Sequence, residues 1–271
     1  MTTAMTANKT TLAISIKGVT AGYGERAAIT EVNLNLAAGS LTAVFGPNGG
    51  GKSTLLKCIA GLMQPWSGAI DVLGAPAGVH ATRVAYVPQA EQVDWSFPVS
   101  VDEVVAMGRT PRIGPLGRIG AADRAAIDEA LDRVEMLNLA SRQIGELSGG
   151  QRRRVFIARA LAADPEIYLL DEPVTGVDPV TQEKIMNILD AESARGRTVI
   201  ATTHDLACAA QRFHDVVALA GRVVGQGAGR RGVGGEGLEE TCGGQLVPLA
   251  GGGVVLLDDP HHQHGVHEGH E

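Results

Sequence analysis

Aromatic side chains are scarce in this sequence: two Trp, three Tyr and four Phe make up only 3% of 271 residues. With hydrophobic residues at 44% overall, a large core is available, but it must be mostly aliphatic. Cysteine is also sparse. Cys58, Cys208 and Cys242 are odd in number and widely spaced, which excludes a disulfide framework and a clustered zinc site and points to a reducing compartment. No apolar run approaches the ~18 residues of a spanning helix. The first ten residues, MTTAMTANKT, are polar and lack the basic-then-apolar layout of a signal peptide. Basic excess is missing too, because 23 Lys and Arg face 30 Asp and Glu for a formal charge of −7, so no global field draws nucleic acid.

Glycine, by contrast, is abundant: 36 of 271 residues is nearly double the usual ~7%. Tight turns or a low-complexity segment must account for it. Residues 225–237 (GQGAGRRGVGGEG) are such a segment and read as a flexible linker. It contains a G-x-G-x-x-G match at 227–232 that no apolar helix follows, which disqualifies it as a dinucleotide site.

Between residues 12 and 224 the pattern alternates. LTAVF (41–45), IYLL (167–170) and TVIA (198–201) have the length and branching of buried parallel strands. Residues 52–62, 122–137, 149–163 and 180–194 read as helices, which implies an α/β sheet covered by helices. The segments 12–19 and 31–36, the latter with period two, predict an antiparallel β piece beside that sheet.

The most specific local signal is Gly46-Pro47-Asn48-Gly49-Gly50-Gly51-Lys52-Ser53-Thr54, a complete G-x-x-x-x-G-K-[ST] between a predicted strand and a predicted helix. Glycines allow backbone N–H groups to converge on a polyphosphate, and the helix N-terminus adds positive dipole. Lys52 supplies a full charge and Ser53 a hydroxyl for Mg²⁺. A second signal lies where IYLL runs into Asp171 and Glu172, two carboxylates at the end of a strand where open α/β sheets bind ligands. On extended backbone the two side chains would diverge, one toward the metal and the other toward an attacking water.

Leu147-Ser148-Gly149-Gly150-Gln151, about twenty residues before that pair, resembles the signature motif of ABC-type ATPases. Other elements are similar to that family in the same order: Tyr23 to its adenine-stacking aromatic, Gln89 to its glutamine near Mg²⁺ and the attacking water, Asp178 to its interface loop and His204 to its γ-phosphate histidine. The resemblance spans 12–224. It implies a P-loop NTPase fold of the ABC ATPase type, with a mostly parallel sheet core, an antiparallel β subdomain and a helical signature subdomain at about 90–163. It further implies ATP and Mg²⁺ as ligands. Glu172, His204, Gln89 and Lys52 would be catalytic, and Ser53, Gln89 and Asp171 would lie on the metal side. Nucleotide binding would fall to Tyr23, residues 46–54, Ser148, Gly149, Gly150, Gln151 and Asp178, with the signature of one subunit closing on the nucleotide of the other.

The partners the resemblance implies are a second ATPase subunit, polytopic permease subunits and, indirectly, an extracytoplasmic substrate-binding protein, with no nucleic acid. The place would be the cytoplasmic face of the membrane, peripherally. The stretch from Gln92 to Arg109, with Trp95, Phe97 and Pro98, resembles bacterial importers of manganese, zinc or iron. An apolar edge there would suit a short helix of a membrane partner, or would pack inside the helical subdomain. Met107-Gly108-Arg109-Thr110-Pro111 is also similar to importers of siderophores, haem or cobalamin, the alternative reading. A soluble ABC ATPase acting on macromolecules is the reading from another class. Arg152, Arg153 and Arg154 are expected on a solvated or dimer-facing surface. Residues 1–11 are expected to be disordered, and 225–257 to form the linker with a short β extension. In the tail 258–271, His261, His262, His264, His267 and His270 either bind a transition metal or merely solubilise the end of the chain.

Overall fold

The computed structural model describes residues 11–89, 97–114 and 117–228, together with the backbone of 246–249 and 253–256. The expectations for residues 1–10, for Trp95, for Cys242 and for the histidine tail fall outside these residues.

Two long strands, β1 (Leu12–Tyr23) and β2 (Arg26–Ala37), pair antiparallel as the alternation predicts. With β4 (Ser67–Val72) and β5 (Ala75–Pro76) they form a four-stranded sheet in the order β2-β1-β4-β5. Thr11, expected in the disordered N-terminus, already belongs to this sheet's edge, since its carbonyl accepts the N–H of Ala38 at 2.8 Å.

The second sheet has the order β10-β9-β3-β8-β7-β6. Its strands are β3 (Leu41–Phe45), β6 (Val84–Val87), β7 (Ile167–Leu170), β8 (Thr198–Thr203), β9 (Asp215–Leu219) and β10 (Val223–Ala228). All neighbours are parallel except β9 and β10. The expected linker boundary at 225 therefore moves: Gly225–Ala228 continues an edge strand rather than starting a linker. The Gly-Gln-Gly-Ala end of this edge strand carries no apolar pattern to read.

Period two divides this sheet between two cores. Leu41, Ala43 and Phe45 of β3, with Tyr168 and Leu170 of β7, face a helical layer. Val44, Ile167, Leu169, Ile200, Val217 and Leu219 face the antiparallel sheet and α1 (Lys52–Ile59). Because both faces are covered, β3, β7 and β8 are buried at every position, which is why they read as continuous apolar runs.

The helical layer comprises α2 (Val101–Ala106), α3 (Thr110–Ile113), α4 (Ala121–Arg133), α5 (Gly149–Ala163) and α6 (Pro179–Ala194), followed by α7 (Leu206–Arg212). α5 is fastened at both ends. At its start, Ile144 N donates to Val99 O and Val101 N to Arg142 O, tying the segment before α5 to the entry of α2. At its finish, Arg109 donates to Ala162 O at 2.9 Å, while Arg112 donates to Ala163 O and Asp164 O at 3.1 and 2.7 Å. Cations at the last carbonyls of a helix satisfy orphan acceptors and oppose the negative end of its dipole. Gly108 lies so close that an added Cβ would stand 2.2 Å from Arg159 O. The run from Met107 to Pro111 thus has a packing duty in this fold. Among the described residues, no helix is long and apolar enough to cross a membrane. Backbone strands β11 (Leu246–Leu249) and β12 (Gly253–Leu256) pair as a hairpin.

Candidate functional site

Parallel strands deliver their C-terminal ends to one edge of a sheet, and there four of the predicted segments meet. The register pairs Phe45 with Thr203, Ala201 with Leu170, and Leu170 with Val87. The residues leaving that edge are consequently Gly46 from β3, His204 from β8, Asp171 and Glu172 from β7, and Gln89 two residues beyond β6.

The loop from Gly46 to Gly51 turns from β3 directly into α1. Two of its glycines are dictated by space. A Cβ on Gly46 would sit 1.9 Å from Leu219 O, and Gly51, at φ +89°, would bring one within 2.3 Å of the Ile29 side chain. Gly51 also occupies the N-cap of α1 without any side-chain cap, so the first N–H groups of that helix have no local acceptor from it. Lys52 is buried, and its Nζ donates to Gly46 O at 2.8 Å and Pro47 O at 3.0 Å. The same nitrogen lies 3.9 Å from Glu172 Oε1. Burial pushes the Lys52 ammonium below its ordinary range, and the charges of Glu172 and Asp171 pull it partly back. Ser53 is half-buried and Thr54 buried beside it.

Asp171 and Glu172 are both buried, at 1% and 7% exposure. Their divergence does not come from extended backbone, as expected. Glu172 instead adopts a left-handed conformation at φ +50°, rare for a residue with a side chain. Its Oε2 accepts from Gln89 Nε2 at 3.3 Å. Asp171 Oδ1 accepts from the Thr202 hydroxyl at 2.8 Å and Oδ2 from the Tyr86 hydroxyl at 3.4 Å. Burial next to Asp171 drives the Tyr86 phenol well above its usual range, so it stays a donor. Sequence reasoning passed over Thr202 and Tyr86. The available signal was a hydroxyl at the end of an otherwise apolar strand beside two carboxylates.

Tyr23 is half exposed at the end of β1, on the hairpin that walls the loop, with Lys57 Nζ 3.4 Å from its hydroxyl and 5.9 Å from its ring centroid. His204 is exposed at the end of β8.

Ser148 and Asp178 form a second group. Ser148 caps α5 in a reciprocal box with Gln151, by bonds of 2.9 and 3.3 Å. Asp178 caps α6, accepting from Thr181 N at 3.0 Å and the Thr181 hydroxyl at 2.7 Å, and these bonds hold its carboxyl below the usual range. A Cβ on Gly150 would meet Thr181 and Asp178 at 3.6–3.8 Å, so the two caps adjoin. Among the described residues, no hydrogen bond or ion pair joins 148–151 to 46–54. The chain brings together Lys52, Gln89, Asp171 and Glu172, and keeps Ser148, Gly149, Gly150, Gln151 and Asp178 as another cluster.

Of the solvated or dimer-facing surface expected for the three arginines of α5, the solvated alternative gives way to internal bonds. Arg153 is buried and donates to Pro88 O at 3.3 Å; Arg152 donates to Ile144 O and Gly145 O, and Arg154 to Val134 O. They close the carbonyls of loops that surround α5, and Arg153 reaches the segment carrying Gln89. Two cavities of about 280 and 350 Å³ lie elsewhere among α4, α5 and α6, sharing Arg133. Their cations are already engaged, Arg133 by Glu192, Lys184 by Glu135 and Arg112 by Asp164.

Residues 29–175 match the family model described as ABC transporter. The chain is 42% identical over 219 residues to the zinc transport system ATP-binding protein TroB of Treponema pallidum, covering 81% of this chain and 82% of that protein. It is also 42% identical over 256 residues to the manganese transport system ATP-binding protein MntA of Synechocystis, covering 93% and 95%. Among solved structures, a dimeric bacterial ABC transporter cassette superposes with a TM-score of 0.71 at 31% identity, covering 81% of this chain and all of that one.

Proposed function

The chain belongs to the ABC transporter family as an ATP-binding subunit that hydrolyses ATP to drive transport, and from that premise we propose that its cargo is a transition-metal ion, manganese or zinc. The observation that carries the chemistry is the convergence of Lys52, Gln89, Asp171 and Glu172 at one sheet edge. Glu172 orients and deprotonates the attacking water, its carboxylate held by Gln89 on one oxygen and facing Lys52 with the other. Lys52 and His204 offset charge that develops on the γ-phosphoryl group. Tyr23 offers its exposed face to adenine.

The donor set suits Mg²⁺, because Asp171, Ser53 and the Gln89 side chain offer hard oxygen ligands and Asp171 is fixed through both carboxylate oxygens. When bound there, the ion neutralises phosphate charge. Phosphate binding itself is the work of the loop backbone, the start of α1 and Lys52.

Ser148, Gly149, Gly150, Gln151 and Asp178 complete the site of a second copy. Their separation from the loop within one chain supports this, as does the dimeric cassette of similar fold. The membrane half is a polytopic permease, engaged on the side where Phe97 is exposed, with an extracytoplasmic binding protein delivering cargo to it and this subunit lying peripherally on the cytoplasmic face. The zinc and manganese transport relatives support one of these metals as cargo. Because Gly108, Arg109 and Arg112 fasten α5, the run 107–111 does not argue for a siderophore, haem or cobalamin.

The test is ATPase activity of the chain reconstituted with its permease in lipid vesicles, titrated with binding proteins loaded with Mn²⁺, Zn²⁺, iron, haem or a ferric siderophore. Stimulation by the Mn²⁺- or Zn²⁺-loaded carrier alone is expected. Stimulation only by a chelate-loaded carrier would overturn the cargo.

A further inference from the structure

One side chain bonds to both members of the carboxylate pair. Thr202 is 1% exposed on β8, the strand that separates β3 from β7. Its hydroxyl donates to Asp171 Oδ1 at 2.8 Å and accepts the backbone N–H of Glu172 at 2.8 Å. A hydroxyl has one proton and two lone pairs, so both directions are available at once and are used here on consecutive residues.

The second bond falls where the backbone is least content. Glu172 sits at φ +50°, a conformation that persists in a residue with a Cβ only when the surroundings impose it. From one side Asp171 N is fixed to Val87 O at 2.9 Å, and from the other Glu172 N is fixed to Thr202. These bonds fix the peptide plane that enters Glu172, and Thr175 N donates to Glu172 O at 3.4 Å on the side that leaves it; with the entering plane held, a return of Glu172 to extended backbone would swing the carboxylate away from Lys52 and Gln89. The next residue, Thr203, has a different task, since its hydroxyl accepts from Asp205 N at 3.0 Å. Among the described residues, the Tyr86 hydroxyl bonds only to Asp171, through Oδ2.

We infer that Thr202 is a positioning residue for ATP hydrolysis: it fixes the angle between the two carboxylates and holds the backbone turn that aims Glu172 at the site of the attacking water. The inference rests on the reading of Asp171 and Glu172 as the hydrolytic pair. Thr202 is bonded to Asp171 and to the backbone of Glu172, and acts through these two neighbours. It follows that losing its hydroxyl costs turnover and leaves nucleotide binding by the loop and Lys52 in place.

The experiment compares T202S with T202A in the full chain. Both remove the same methyl group, so their difference isolates the hydroxyl. Steady-state MgATP hydrolysis, equilibrium binding of a fluorescent ATP analogue and thermal unfolding are measured for each, with E172Q as control. The expected result is a kcat about 10- to 100-fold lower in T202A than in T202S, the scale of a misplacement near 1 Å. KM and analogue affinity should stay within about twofold, and T202S should remain close to the parent. Equal turnover in T202S and T202A, or a loss in T202A matched by an equal loss of analogue binding, would overturn the inference. If T202A unfolds and T202S does not, T202V set against the parent supplies the comparison, with the shape retained and the hydroxyl replaced by a methyl group. If E172Q hydrolyses ATP like the parent, the reading of the carboxylate pair fails instead, which separates the two outcomes.

Discussion

The two ends of the site are built on opposite plans. At the sheet edge, Lys52, Asp171, Glu172 and Thr202 are buried and bonded to one another, so the geometry is complete within one chain. At the starts of α5 and α6, Ser148 and Asp178 present exposed caps whose bonds run only to their own helices. The first region is finished by its fold. The second is a shaped lip, and its chemistry depends on something brought against it. On the proposed reading, a site divided in this way would join hydrolysis to assembly, because burial fixes the reacting groups while the exposed caps would complete the site of a second copy.

The sharpest break in that contrast is Glu172→Gln. It removes the base and keeps the shape, so ATP turnover should fall by at least about 100-fold with nucleotide binding retained; parallel hydrolysis and filter-binding assays decide it. Lys52→Ala attacks the same region through binding. Loss of charge-assisted hydrogen bonds to phosphate, worth about 1.5–3 kcal/mol, should weaken ATP affinity about 10- to 100-fold in equilibrium titration.

At the lip, Ser148→Ala should leave binding of ATP by a single chain unaltered and slow hydrolysis by roughly tenfold, the mark of a group that acts on another copy's nucleotide. The lost cap should also lower unfolding free energy by about 1 kcal/mol, read by urea denaturation. Mixing Ser148→Ala with Lys52→Ala subunits sharpens the comparison further, since heterodimers should regain one intact composite site.

The smallest effect belongs far from both regions. Arg83 donates to both oxygens of Glu166 at the entry to β6 and β7, with both side chains about 40% exposed. That bond holds the Glu166 carboxyl below its ordinary range. Its contribution is therefore present above the unfolded pKa of ~4.3 and lost as pH falls through the folded value. Arg83→Ala should cost little at pH 7, since both groups are solvent-screened, and the cost should shrink as pH falls through the folded Glu166 value, read by urea denaturation across a pH series.

How far each region was legible before folding follows the same division. LTAVF and IYLL announce buried strands because both faces of the sheet are covered, and the loop announces itself because packing against Leu219 and Ile29 leaves no alternative to glycine at 46 and 51. Ser148 with Gln151 carries a capping pattern written within four residues. Thr202 and Tyr86 were silent because their meaning lies across strands, 31 and 85 positions from Asp171. Arg152, Arg153 and Arg154 misled for a related reason: a charge run specifies no surface when surrounding carbonyls are waiting for its protons. Gly225–Ala228 was missed because Gly-Gln-Gly-Ala side chains leave no apolar period to read.

The fastening of α5 at both ends has a mechanical consequence. With Val99 and Val101 bonded to the segment before its start, Arg109 and Arg112 gripping its final carbonyls and Gly108 in backbone contact with Arg159, there is no slack between the chain at 97–113 and the helix. Exposed Phe97 lies at one end of this braced unit and Ser148 at the other. On the proposed reading, a permease pressing at Phe97 would carry α5 and its Ser148 start along with it, so docking and closure would share one displacement.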